Sequence, residues 1–541
     1  MSKFPKGDYG EIPLNPTDIE TPAAPPTPTR STTTTSDAVP KDAAVVILVR
    51  DTEGDAPPDD AQVYWARRGE RMAFLGGFYA FPGGQRDQTD AQTIVENCED
   101  AETAAMISCA ARELFEELSV LIARGAETLT KGQLASVLDD LTSGRMTFPA
   151  LLAHYGLRLD ARDFTFAGRW VTPPFSPRRF DTWFFLARCP RKQEPRVLTA
   201  EFDRGEWTSA RVAYERWLHY EALVAPPVLH ALKALAVGGV TDDLVARFLS
   251  VPQAHRQPVR RIEFVPGFIC FPVRTPTKPP ATHTNTYLVG HREFIVIDPA
   301  SPDEAEQAAL AACVDELIIE GREPREIVLT HHHPDHVGGV DALAKHLGGG
   351  RVPVAAHRLT AEMLEGKVRV DRFIEEGDII ELAGEPPLAL RALHTPGHTR
   401  GHLSFYEERT GVLVTGDNIV GLGSVLIDPP EGNMRDYLHT LGRYQTLLPN
   451  VSVILGGHGP AVGNPRAKIE EYIAHRLERE ANILNAVRAG ATTPPEIVAR
   501  VYTDVHPKAR PMAERAVLAH LEKLEADKLV RRAGENSYHP A

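Results

Sequence analysis

The stretch LTHHHPDHVGG, Leu329 to Gly339, sets four histidines and an aspartate at the end of a short apolar run. It constrains the fold more than any other feature, because metal-seeking side chains at one strand end need partners from other strand ends. Side chains alternate along an extended backbone, so alternation places His331, His333 and Asp335 on one side. The turn imposed by Pro334, Gly338 and Gly339 would swing His336 elsewhere, giving two clusters of ligands. Imidazole combined with carboxylate suits zinc or another borderline transition ion better than calcium or magnesium. A lone histidine in such a loop would ordinarily cap a helix or fill a wet turn; the spacing argues otherwise.

At 541 residues the chain exceeds one compact core, so two or three domains are expected. A formal net charge of −14 argues against a general binder of nucleic acid or anionic membrane, which would concentrate Lys and Arg. Cys98, Cys109, Cys189, Cys270 and Cys313 are scattered without any C-x-x-C spacing. They read as reduced thiols rather than a disulfide framework or a zinc ribbon. The start, MSKFPKGDYG, lacks the apolar core of a signal peptide, and no run approaches the ~18 apolar residues of a membrane helix. A cytoplasmic protein without membrane attachment is the expectation.

Residues 1–41 are Pro- and Thr-rich and cannot bury enough apolar surface to offset the entropy of ordering, which predicts a disordered tail. Buried strands are expected at DAAVVILVRD and AQVYWARR. Between about Ser250 and Pro280, the prolines of VPQAHRQPV and FPVRTPTKPPATH are expected to break regular elements and mark a boundary. Strand signals at TYLVG, EFIVID, EIVLT and VPVAAH then alternate with helical ones over 303–316 and 338–346, the rhythm of layered α/β structure. After LGGHGPAVGN the pattern becomes helical. Thr493, with Pro494, Pro495 and Glu496 behind it, forms a capping-box start, and three helices with a short strand pair suggest a winged helix. The layout is a multidomain α/β chain: tail 1–41, then domains over 42–250, 251–465 and 466–541.

HxHxDH, filled by His331, His333, Asp335 and His336, is the signature of the metallo-β-lactamase superfamily, and the chain resembles that family over about Phe264 to Lys468. The match continues through Asp298 of FIVID, His398 of HTPGHTRGH, Asp417 of LVTGD and His458 of LGGHG. The resemblance implies an αββα sandwich in which His331, His333 and His398 bind one zinc. Asp335, His336 and His458 would bind a second, with Asp417 bridging the two; manganese or iron could take the same ligands. Such a pair acidifies a bridging water to hydroxide and polarises the bond it attacks, with Asp335 placed to act as base. Asp298 matches the family's structural aspartate. His332 is expected to support the ligands rather than ligate, His402 to stand behind them or on the substrate side, and His394 to be structural. TPGHTRGHLSFY, TGDNIVGLGS and the helical tail are similar to the branch of the β-lactamase-like protein 2 hydrolases. That branch stands near the glyoxalase II thioesterases, and its animal members are single-strand endoribonucleases.

A second signature begins at FPGG, Phe81 to Gly84, and continues in CAARELFEELSV, Cys109 to Val120. Arg112, Glu113, Glu116 and Glu117 fit R-E-U-x-E-E, with U aliphatic. On a helix the three glutamates share a face, where they could hold Mg²⁺ against a diphosphate while Arg112 orients them. This resembles the Nudix hydrolases, an α/β/α sandwich, and WVTPPFSPRRFDTWFFLA looks like their branch that cleaves CoA and related diphosphates. Two positions depart from the family's box. Ala104 stands where the family has a glutamate, with Glu102 out of register, and Ser119 replaces the final glycine. A non-catalytic nucleotide sensor is therefore an alternative to an active Mg²⁺ site.

The expectation is a two-headed hydrolase acting on a small molecule: an acyl thioester, CoA or a nucleotide diphosphate. Single-stranded RNA is the alternative substrate. The basic residues of the C-terminal segment, Arg476, Arg479, Lys523, Lys528, Arg531 and Arg532 among them, are nearly matched by acids. A domain that walls the active site or pairs two copies in a homodimer is favoured over a nucleic-acid reader.

Overall fold

A run such as KDAAVVILVR, apolar almost throughout, is stable only when both faces of its strand are covered. The computed structural model describes residues 39–541 apart from 51–61, 71, 73, 74, 174, 175, 177, 252, 253, 256–259, 449, 504, 506 and 535. Nearly all of the expected 1–41 tail thus lies outside the described residues, and Lys41 already opens the strand Lys41–Arg50. This strand is central in a seven-stranded mixed sheet, parallel to Phe180–Arg188 and antiparallel to Gln62–Arg68. The helix Ala101–Leu118 covers one face through Met106, Ala110 and Leu114, and Ala210–Leu218 and Pro226–Gly238 cover the other through Trp217 and Leu232. The first half is an α/β/α layering.

The second half stacks a seven-stranded sheet, from Ile262–Val265 to Arg372–Phe373, on a five-stranded one, from Ile379–Leu382 to Val453–Gly456. Tyr287, Ile295 and Val328 meet Leu390, Leu403 and Val414 between the sheets. Outside them, Glu304–Ile319 lies on the first sheet and Met434–Leu447 and Pro465–Arg488 on the second, completing helix, sheet, sheet, helix. The segment after Pro465 adds Pro494–Val501, Arg510–Ala526 and the pair Val530–Arg532 with Tyr538–Pro540. The Thr493 and Glu496 capping box forms as the sequence predicts.

One expectation needs correction. The prolines after Ser250 do not all break structure: Pro272 lies inside Phe268–Arg274, opposite Asn285. It is tolerated because the neighbouring strand pairs only as far as Cys270, so the missing N–H of Pro272 falls on an open edge. Across the boundary after Ser250 the two halves are packed together. Ala38–Ala541 forms one compact unit, and a single core runs from Trp65 and Trp217 through Phe264 to Tyr287. Among the described residues, no helix is long and apolar enough to cross a membrane.

Candidate metal centre and a carboxylate helix

Four segments meet at one rim of the sandwich: the turn after Glu323–Val328, the TPGH turn after Leu388–His394, Asp417 after Val412–Gly416, and His458 after Val453–Gly456. Nε2 of His331 and Nε2 of His398 each lie 3.0 Å from Nδ1 of His333. The opposite nitrogens are engaged. Nδ1 of His398 donates to the Leu426 carbonyl at 3.0 Å. The Thr330 hydroxyl gives its only proton to Asp298 at 2.6 Å, so at 3.0 Å it accepts from Nδ1 of His331. These bonds leave Nε2 of both rings as bare lone pairs aimed at His333, and a single proton on Nδ1 of His333 cannot satisfy the cluster. A cation among the three nitrogens would.

The second trio is Asp335, His336 and His458, whose ligand atoms lie within 4.8 Å of one another. His336 gives its Nδ1–H to Asp298 at 2.8 Å, and His458 gives its own to the His283 carbonyl at 2.8 Å. Asp417 stands between the trios, its carboxylate 3.2 Å from Nε2 of His336, 3.3 Å from that of His458 and 3.8 Å from that of His398. Nε2 of His336 and Oδ1 of Asp417, 3.2 Å apart, are buried and make no hydrogen bond of good geometry with each other or with another group, an arrangement that a shared metal ion would satisfy. The residues present therefore fit a pair of divalent cations.

The electrostatics separate the two trios. Burial, reinforced by neighbouring histidines, holds His331 well below the usual imidazole range and brings His333 down to about 2. His336 goes the other way: burial opposes its charge, but the Asp417 and Asp298 carboxylates outweigh it and hold the ring well above that range. Asp417 is held well below the carboxylate range, since His458 and His336 outweigh its burial. The first trio is thus neutral beside an ionised carboxylate, the form that ligates metal, whereas His336 and His458, despite burial, are held charged by Asp417 and would give up a proton to a cation.

Alternation misplaced one residue. Asp335 does not share a side with His331 and His333, because Pro334 starts a helical turn, Pro334–Val337, that carries Asp335 round to His336. His402 is fully buried, so it stands behind the ligands and not on the substrate side; its Nε2 accepts the Asp417 backbone N–H at 3.2 Å. His332 pairs with Glu431 at 2.8 Å, and His394 stacks on His357 at 4.2 Å. Glu431 and the Leu426 carbonyl were invisible in the sequence, since nothing in VLIDPPEGN signals that it folds over the histidines.

On the helix Ala101–Leu118, Arg112 donates to Glu113 at 2.7 Å and to Glu116 at 3.1 Å. Glu117 accepts the Gly83 N–H at 2.8 Å. A Cβ on Gly84 would lie 2.5 Å from the Glu113 carboxylate, which explains the glycine of FPGG. Burial pushes Glu113 up to about 7 and Glu117 well above the usual range. Unlike the histidines, Glu113, Glu116 and Glu117 are not among the groups whose ligand atoms gather within 4.8 Å, because Arg112 and Gly83 draw them to different partners. Asp90, in the insertion after FPGG, was missed; it is fully buried and grips Arg112 at 3.0 and 2.9 Å. Ala104 offers no ligand atom, and Glu102 lies 3.7 Å from Arg169 instead. Ser119 takes the left-handed helix-ending conformation that glycine favours, with φ 57° and ψ 27°.

Known proteins resemble this chain in both halves. The model of the metallo-beta-lactamase superfamily matches residues 279–458, and that of the beta-lactamase associated winged helix domain matches 493–537. A beta-lactamase-like protein 2 homolog of Caenorhabditis elegans is 31% identical over 250 residues, covering 46% of this chain and 80% of its own. An atrochrysone carboxyl ACP thioesterase of Aspergillus chevalieri is 30% identical over 265 residues, covering 46% and 77%. Among solved structures, a NUDIX hydrolase from Alicyclobacillus acidocaldarius aligns at 34% identity over 38% of this chain and 96% of its own, with a TM-score of 0.34.

Proposed function

Because this chain belongs to the metallo-β-lactamase superfamily, a family of hydrolases, we propose that its second half is a dinuclear metallohydrolase acting on an acyl thioester or related small ester. The observation that carries this is the pair of trios, His331, His333, His398 and Asp335, His336, His458, converging on the buried Asp417. The thioester follows the fungal relative, which is named as a thioesterase.

Two divalent cations, zinc or in its place manganese or iron, would supply an acidified water and polarise the scissile carbonyl. The protein does the rest. Asp298 fixes the tautomer of His336 directly and that of His331 through Thr330. The His283 and Leu426 carbonyls do the same for His458 and His398. Asp335, with 17% of its side chain exposed at the mouth, is placed to take a proton from water and pass it to solvent.

The first half we read as a Nudix-like head in which Glu113, Glu116 and Glu117 hold magnesium and Arg112 orients them. It either cleaves a CoA or nucleotide diphosphate or binds one without turnover. Arg112 holds only one oxygen of Glu113 and one of Glu116, which leaves the other oxygen of each for a cation.

Elemental analysis of the purified protein should give about two metal ions per chain. His333→Ala should lose at least one of them together with hydrolysis of S-acyl thiols. Turnover of single-stranded RNA but not of thioesters would move the substrate class while keeping the centre. A metal-free chain, or activity indifferent to His333, would overturn the proposal.

A further inference from the structure

Where the two halves meet lies a cavity of about 530 Å³. Glu113 and Gly84 stand on its polar side, and Phe81, Trp170 and Phe180 form its wall from the first half. The opposite wall comes from the metallo-β-lactamase half, through Ile262, Phe264 and Pro460. That wall is firmly held. Phe264 accepts the Trp217 Nε1–H through its carbonyl at 3.1 Å and packs edge-on against Phe78 at 5.7 Å. Pro460 follows Gly459, whose carbonyl takes an Asn285 amide hydrogen at 2.9 Å. A Cβ on Gly77 would come within 2.6 Å of the Gly463 carbonyl, so the halves meet without room to slide.

The lining states what fits. Its rings and prolines offer few donors or acceptors, and several polar side chains among them are engaged: Arg68 with Glu201 at 2.9 Å, the Thr172 hydroxyl with the Phe180 N–H at 3.0 Å, and the Ser176 hydroxyl with the Arg178 carbonyl at 2.7 Å. A sugar or a nucleobase would leave hydroxyls and ring nitrogens unpaired against the apolar walls. A hydrocarbon body loses nothing there and gains from leaving water. Charge enters the lining at Glu113, at Arg178 and at the Arg68–Glu201 pair.

We propose that this seam cavity binds a ligand in which an alkyl or aryl body is joined to a diphosphate, with the metallo-β-lactamase half supplying part of the wall. The inference rests on the reading of Glu113, Glu116 and Glu117 as a magnesium site and adds what that site holds. It also gives the two halves a reason to be one chain: Pro460 touches the ligand two residues from His458.

Three probes that cannot be hydrolysed, all with a P–C–P bridge, decide the matter on the full chain in Mg²⁺: methylenebisphosphonate, α,β-methylene-ADP and the methylene-bridged analogue of geranyl diphosphate. Calorimetry should find the geranyl compound at least about tenfold tighter than either of the others. If methylenebisphosphonate binds and the geranyl body adds nothing, the magnesium reading stands and this inference falls. An ADP analogue as tight as the geranyl one also overturns it, and binding of none of the three overturns both. Phe264→Trp should erase the geranyl preference while sparing affinity for methylenebisphosphonate and the melting temperature; a folded variant that keeps the preference refutes the shared wall. A benzophenone-bearing geranyl analogue tests the same wall without mutation. It should crosslink to peptides containing Phe264 or Pro460, and crosslinks confined to the first half would refute the claim.

Discussion

Replacing Asp298 by asparagine should disturb both histidine trios at once. Its Oδ1 accepts the Thr330 N–H at 2.8 Å, and its Oδ2 accepts the Thr330 hydroxyl at 2.6 Å and the His336 Nδ1–H at 2.8 Å. All three partners are donors. An asparagine must turn its NH₂ towards at least one of them, so a hydrogen bond is lost whichever way the amide lies, and the others lose their charge. With ~1.5–3 kcal/mol for a bond to an ionised group, the loss falls near ~2–3 kcal/mol. The backbone is not at issue, because Asp298 sits at φ 49° and asparagine tolerates that region as well as aspartate does. Titration of metal-free protein with zinc against a chromophoric chelator should show the His336 site weakened about 10–100-fold. The His331 site should weaken less, since Thr330 stands between. Near-ultraviolet circular dichroism would report that the fold persists. Two binding steps unchanged in a folded Asp298→Asn protein would refute the argument that this carboxylate orients the ligands.

Other perturbations reach the same architecture from further away. Arg515 donates to Pro429 and Asp428, and Arg476 to Val425, so the C-terminal domain straps down the segment whose Leu426 carbonyl orients His398. Arg515→Ala should lower kcat by about threefold to tenfold while the melting temperature barely moves, since an exposed pair is worth under ~1 kcal/mol; unchanged turnover would refute the strap. His520 is buried against Glu480, Arg476 and Lys523, and its burial holds it below the usual imidazole range despite Glu480. As pH falls below about 6.5 the unfolded chain takes up a proton that the folded chain refuses, so stability drops with acid from that point down to the folded-state value. His520→Gln should flatten the fall in denaturation midpoint between pH 7 and pH 5, and an identical slope would show that His520 is not its source. Ser119→Gly should stabilise by about 0.5 kcal/mol in urea unfolding, relief of left-handed strain slightly exceeding the added freedom of the unfolded chain; a destabilised variant would mean that the strain is absent.

What could be read from the sequence divides along a physical line. Ligands must be particular residue types at short spacing, so HHHPDH, PGH, TGD and GGHG were visible one by one, and the strands before them gave away the layered fold. Where alternation was applied past Pro334 it failed for Asp335, because proline at the first position of a helix ends the extended run on which alternation depends. The supports behind the ligands were hidden for a different reason. His398 and His458 hand their protons to the carbonyls of Leu426 and His283, and Asn285 bonds those of Gly456 and Gly459. Every residue owns a carbonyl, so such a partner leaves no mark on the sequence, and only the fold decides which one arrives. The same holds for the seam, where the Trp217 indole meets the Phe264 carbonyl across the boundary that proline content marked. If backbone partners set the geometry of the centre, side-chain replacement at Leu426 or His283 should matter little while displacement of their segments should matter much. That is why Arg515, far from any ligand, is the sharper test of how this centre is held.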